Sequence, residues 1–183
     1  MYYIGQSFGL LAMICNLTAP LLKKKEHMLF DLALLNFFTM LNFLLIGKYG
    51  SAVWLYVVAI LQTGVSYLHV KKNTPVRSFE AALFFFLYVA LGLFGIVTAP
   101  GFTFAWSGAL LLEFVPILGS VLSMITIFVR SEQVTRIFVL LTSVVWMVYS
   151  GIVGAAAFFS DGACVVTTLI ALFRYRKTNT QGR

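Results

Sequence analysis

Charge is scarce in this chain: Asp, Glu, Lys and Arg make up 10% of its 183 residues, against roughly 25% in an ordinary soluble domain. That shortage excludes a typical water-facing surface, and with 61% apolar and 16% aromatic residues it points to a chain solvated by lipid. The two cysteines, Cys15 and Cys164, fall inside apolar stretches, where they act as small apolar residues and imply no redox chemistry. His27 and His69 both stand beside lysines and read as solvated loop residues, and no metal site is expected. The sequence offers no strand-to-helix nucleophile elbow, no phosphate-cradling Gly-Lys loop and no HExxH, so the reading is not an enzyme and no cofactor is expected.

What is present is patterned. Of the 13 basic residues all but Lys48 fall in alternate gaps between apolar stretches: Lys23 to Lys25, then Lys71, Lys72 and Arg77, then Arg130 and Arg136, then Arg174, Arg176, Lys177 and Arg183. The other gaps, Gly47 to Ser51, Pro100 to Ser107 and the neighbourhood of Gly154, are nearly free of charge. Cytoplasmic loops keep Lys and Arg while short translocated loops lose them. The pattern therefore predicts an amino terminus outside, a carboxyl terminus in the cytoplasm and an odd number of crossings. The net charge of +7 is a topology signal suited to anionic headgroups and not a nucleic-acid face.

A bilayer core of about 30 Å takes roughly 20 helical residues. Seven spans fit: Tyr2 to Leu22, Met28 to Ile46, Ser51 to Val70, Glu80 to Ala99, Trp106 to Val129, Ile137 to Val153 and Ala155 to Phe173. The fifth could begin as late as Glu113. The first has its lysines after it, the reverse of a secretory signal, and is expected to remain in the mature protein.

The two ends of the chain share one plan. Met28 to Lys72 runs span, Gly47, short uncharged turn, span, basic end; Thr135 to Lys177, about 107 residues on, runs span, Gly154, short turn, span, basic end. The expected architecture is an all-α membrane protein, two parallel three-helix bundles joined by one linker helix. Residues 1–77 form the first repeat, 78–104 the linker, 105–177 the second repeat and 178–183 a cytoplasmic, disordered tail.

The segment Glu113-Phe114-Val115-Pro116-Ile117-Leu118-Gly119, the pair Asp161-Gly162, the turn Gly47-Lys48-Tyr49-Gly50-Ser51-Ala52 and the early Gln6 and Gly9 resemble the YgjV family of bacterial inner membrane proteins. The resemblance covers nearly the whole chain. That family is in turn similar to the SWEET, SemiSWEET and PQ-loop group, which implies the same 3+1+3 fold and a location in the bacterial inner membrane. The sugar transporters of that group carry an Asn on the third helix of each repeat. Here those helices offer Gln62 with Thr63 and Thr167 with Thr168, so a sugar substrate does not carry over.

Polar residues at membrane depth are the candidate site, since each must face protein or a water-filled cavity. Asn36, Thr39, Gln62, Trp146 and Thr168 are expected to line a pocket for a small polar solute. The rival reading makes them packing glue between helices, worth about 0.6 kcal/mol each. Glu113 and Asp161 are candidates for proton or cation coupling. Against that, Glu113 could open its own helix and Asp161-Gly162 could be an outer turn. Pro20 and Pro116 would permit bending. Gly5 and Gly9 would let a helix approach closely, in the bundle or across a homo-oligomer. Transport by rocking of the two repeats is the expected function; the alternative is a non-transporting interaction protein packed solid to its centre.

Overall fold

In the computed structural model, which describes residues 2–19, 22, 25–47, 50–99, 108–128 and 132–180, the chain forms seven α-helices. They are α1 (Tyr2–Thr18), α2 (Lys25–Leu45), α3 (Ser51–Lys71), α4 (Ser78–Val97), α5 (Gly108–Phe128), α6 (Glu132–Val153) and α7 (Ala157–Thr180), and among the described residues there is no strand. Each helix contains the core of one expected span. Several run past the expected ends, α2 by starting at Lys25 and α4 at Ser78, and two do so by a turn or more. α6 starts at Glu132, ahead of Ile137, and α7 runs past Lys177 to Thr180, into the supposed tail. Hydropathy marks the stretch that suits lipid, whereas a helix continues through polar residues for as long as nothing breaks it. Pro20, Pro100 and Trp106 lie outside the described residues, as does Lys48.

Three segments, Ser51–Lys71, Ser78–Val97 and Arg136–Val153, are long and apolar enough by themselves to cross a membrane. Leu29–Leu45, Leu110–Ile125 and Ala157–Phe173 are shorter apolar stretches. Large apolar side chains point outward on every helix, among them Phe30, Phe79, Phe86, Ile152, Phe159 and Phe173. In water so much exposed apolar surface would drive association; in a bilayer it is the solvent-facing surface.

α1 packs on α2 and α7, α2 on α3, α3 on α5, α5 on α6 and α6 on α7. Six helices thus follow one another round a closed ring. α4 lies outside it, against α3 and α5. The chain turns from α2 to α3 and from α6 to α7 in matching ways. Gly47 (φ 79°) and Gly154 (φ 73°) both adopt the left-handed conformation that a Cβ makes costly. Each donates its N–H to the carbonyl three residues back, Gly47 to Leu44 at 3.2 Å and Gly154 to Gly151 at 3.3 Å.

Two apolar clusters fill the interior. One joins Phe43 of α2, Ala52 and Tyr56 of α3, Trp146 and Tyr149 of α6, and Ala155 and Ala157 at the start of α7. The other joins Leu55 and Val58 of α3, Phe84 and Tyr88 of α4, and Met124 of α5. The first lies across the ring; the second fastens α4 to its outside.

Candidate functional site

At the end of the bundle that carries the two glycine turns, α1 grips the start of α7 and α5 grips the start of α3. Gln6 of α1 accepts the Ala156 N–H on its Oε1 at 2.6 Å and donates from Nε2 to the Gly154 carbonyl at 3.0 Å, at the start of α7. Glu113 of α5 accepts the Ser51 N–H at 3.1 Å and stands 2.9 Å from the Ser51 hydroxyl, at the start of α3. That hydroxyl is also 2.8 Å from the Glu113 backbone carbonyl, and having one hydrogen it serves one acceptor at a time. In both places an oxygen satisfies an N–H that a helix start leaves without an intrahelical partner. Glu113 adds a negative charge where the α3 macrodipole favours one. Glu113 therefore does not open its own helix: it sits five residues into α5 and caps another.

Asn42 ties α2 into the same end, donating to the Gly5 carbonyl at 2.8 Å and to Gln6 Oε1 at 3.4 Å. Lower on the α1–α7 seam, Asn16 donates to the carbonyl and hydroxyl of Ser160, both at 3.1 Å. Gly5 faces Leu45 and Ile46, and Gly9 faces Ala156, so the small pair admits neighbours within the bundle. The letters Gly5-Gln6-Ser7-Phe8-Gly9 do fit GxSxG. They lie inside α1, where the Ser7 hydroxyl bonds the Tyr3 carbonyl at 3.1 Å, so no nucleophile elbow is formed.

Beneath the two grips the ring is plugged by rings. Phe43 meets Tyr56 (centroids 5.9 Å) and Tyr149 (5.7 Å), and Trp146 meets Tyr56 (4.9 Å) and Tyr149 (5.9 Å). Offset and tilted aromatic pairs of this kind add roughly 0.5–1.5 kcal/mol each beyond area burial. The Trp146 indole lies against Gly119 of α5, where a Cβ would stand 2.8 Å from its Nε1. Asp161 is the fifth residue of α7, inside the helix and not in an outer turn, and accepts from the buried Ser150 hydroxyl at 3.2 Å.

Toward the other end the two facing helices lose their cover together. On α2 no residue from Phe30 through Phe38 is buried, whereas Thr39, Asn42 and Phe43 are. On α6 no described side chain from Val134 through Thr142 is buried, whereas Ser143, Trp146, Tyr149 and Ser150 are. Nine residues make two and a half turns and so sample every face of a helix. The face of α2 turned into the ring is therefore only partly covered there, with Leu29 buried again beyond it. That end also holds further contacts of charged groups: Thr18 with Asp31 (2.5 Å), Tyr67 with Glu26 (3.1 Å), and His69 between Thr74 (2.8 Å) and Glu80 (3.0 Å). His69 is thus not a solvated loop residue but a part-buried link from the end of α3 to the start of α4.

The five expected pocket residues take different places. Asn36 and Thr39 lie where cover on α2 begins; Asn36 reaches the Thr63 hydroxyl at 3.4 Å, and the Thr39 hydroxyl bonds its own helix at the Leu35 carbonyl. Trp146 belongs to the aromatic plug above them. Gln62 turns to α4, accepting a 2.5 Å hydrogen bond from Tyr88 and leaving its buried Nε2 without a partner. Thr168 is buried on α7 with Cys164 Sγ at 3.8 Å. No hydrogen bond among the described residues joins these five to one another. Sequence reasoning passed over Gln6, Ser51 and Tyr56 as site residues. One signal was there: Gln6 and Glu113 are separated by the same 107 positions as Gly47 and Gly154.

A family model described as a bacterial inner membrane protein matches residues 3–179. No curated protein and no solved structure matches the chain. The match spans all seven helices, and the apolar outer surface suits the compartment it names. The chain belongs to the YgjV family of bacterial inner membrane proteins.

Proposed function

We propose that this protein is a transporter or facilitator of a small polar solute, in which α1–α3 and α5–α7 are parallel repeats, α4 is the linker, and the repeats rock against each other. The resemblance to the SWEET, SemiSWEET and PQ-loop group implies this architecture. The exchanged grips of Gln6 and Glu113 and the paired turns at Gly47 and Gly154 support it. The observation that carries the functional reading is the joint change of burial along α2 and α6. The ring is plugged at the turn end by Phe43, Tyr56, Trp146 and Tyr149 and only partly covered along Phe30 to Phe38 of α2 and the described side chains from Val134 to Thr142 of α6, toward the basic end. A passage closed at one end and open at the other is what alternating access requires of one of its states. Asn36 and Thr39 then stand where the partly covered stretch of α2 meets the plug, as solute-binding groups beneath Trp146. By the charge rule the basic end is cytoplasmic, with the amino terminus outside and the carboxyl terminus inside. No residue is assigned a catalytic role.

The test has two steps. Purified protein is screened by thermal shift against sugars, vitamins, nucleosides and amino acids, since a ligand at 100 times its dissociation constant stabilises by about 2.7 kcal/mol. The hit is then followed into liposomes with Gln6→Cys and Ala156→Cys cross-linked. Flux lost on cross-linking and restored by reductant supports rocking; flux indifferent to the cross-link sinks it. A second reading, a non-transporting interaction protein, draws on the solid plug and on an open groove of about 650 Å³ on the α1–α7 flank, lined by Tyr2, Leu10, Phe158 and Phe159 among others. It predicts a silent screen and a partner retained through purification.

A further inference from the structure

We propose that Asp161 is a proton-binding site, and that H+ is the ion coupled to solute movement. This deepens the transport reading and rests on it for the coupling, though not for the site. Two carboxylates stand near the plugged end, and what surrounds them differs. Glu113 receives an N–H and a hydroxyl at the positive end of α3. Asp161 follows the first four residues of α7, of which Phe158 and Phe159 already give their N–H groups to the Ala155 and Ala156 carbonyls, and no N–H of its own helix bonds its carboxylate. Its one hydrogen bond among the described residues comes from Ser150. No Lys, Arg or His among the described residues pairs with it.

Several elements supply the surroundings of Asp161. From α3 comes the Tyr56 phenol, and from α7 itself the Cys164 thiol, both within electrostatic reach. α6 contributes Ser150, with Tyr149 adjoining it and facing Glu113 of α5. α1 packs on α7 through the uncharged Asn16 and Gln6. Asp161 is half-buried, and a carboxylate at membrane depth is held by a counter-charge, by donors, by water or by a proton; among the described residues the first is missing and the second is a single hydroxyl. A metal cation would need several oxygen ligands around it. Asp161 has the Ser150 oxygen alone, which suits a proton.

Infrared difference spectroscopy of the full chain in lipid tests this directly, without knowledge of the solute. As the buffer is acidified, a protonated-carboxyl C=O band is expected to appear, to vanish in Asp161→Asn and to move in frequency in Asp161→Glu. An Asp161→Asn protein that elutes like the parent and keeps the whole band overturns the site, as does a parent with no such band. Should Asp161→Asn fail to fold, Asp161→Glu decides: an unmoved band overturns the site. The band together with absent solute flux supports the proton site and sinks the transport reading. Flux unaffected by a pH gradient, with the band present, overturns the coupling alone.

Discussion

Gln6 and Glu113 do the same work at opposite sides of the ring with different chemistry. Gln6 both gives and accepts: its amide spans the Gly154 carbonyl and the Ala156 N–H, so each polar atom has a partner and no charge enters the membrane. Glu113 only accepts, and its charge is set against the end of a helix. The neutral grip is self-sufficient and the charged one depends on α3 being helical at Ser51. One side is therefore held by plain hydrogen bonds, and the other couples a charge to the first turn of a neighbouring helix.

The largest effect is expected on the charged side. Glu113→Ala leaves the buried Ser51 N–H without its acceptor, the hydroxyl keeping the backbone carbonyl at position 113, and should cost about 1.5–3 kcal/mol, the range for hydrogen bonds to charged groups. It would be measured by steric-trap unfolding in detergent. Gln6→Ala, losing neutral bonds, should cost about 1–1.5 kcal/mol in the same measurement. An equal loss at both positions would erase the distinction. The turns come next: Gly47→Ala and Gly154→Ala should each lose about 1 kcal/mol of stability, because both residues need a left-handed backbone. Unequal losses there would argue against the two turns being equivalent. Asn36→Ala should lower stability by only about 0.6 kcal/mol, as its 3.4 Å contact with Thr63 is an ordinary interhelical bond. A loss several times larger would make Asn36 a structural residue and weaken its assignment to a solute pocket.

Helix number and approximate bounds were legible because the need to span lipid imposes length and apolarity, and because glycine at 47 and 154 marks turns by its backbone alone. Where helices extend into polar sequence, as at Glu132 and Thr178 to Thr180, hydropathy carried no signal. The polar side chains were legible as a set but not as partnerships. Residue type shows that Gln62 is costly to bury; it does not show that Tyr88 of α4 meets it, which depends on where α4 docks. Glu113 was misplaced for a related reason. An acid near a helix start reads as capping its own helix, and only the packing of α5 on α3 shows which start it serves.

The grip between Gln6 and Ala156 joins residues 150 positions apart. On a ribosome adding roughly 5–20 residues per second, α1 is made about 8 to 30 s before the turn it will hold. Through that interval Gln6 has no α7 to bind, and among the described contacts only Asn42, on the helix made next, can shelter it. The seam between α1 and α7 is thus the last to close, and any factor that helps this protein assemble has its longest opportunity at the first helix.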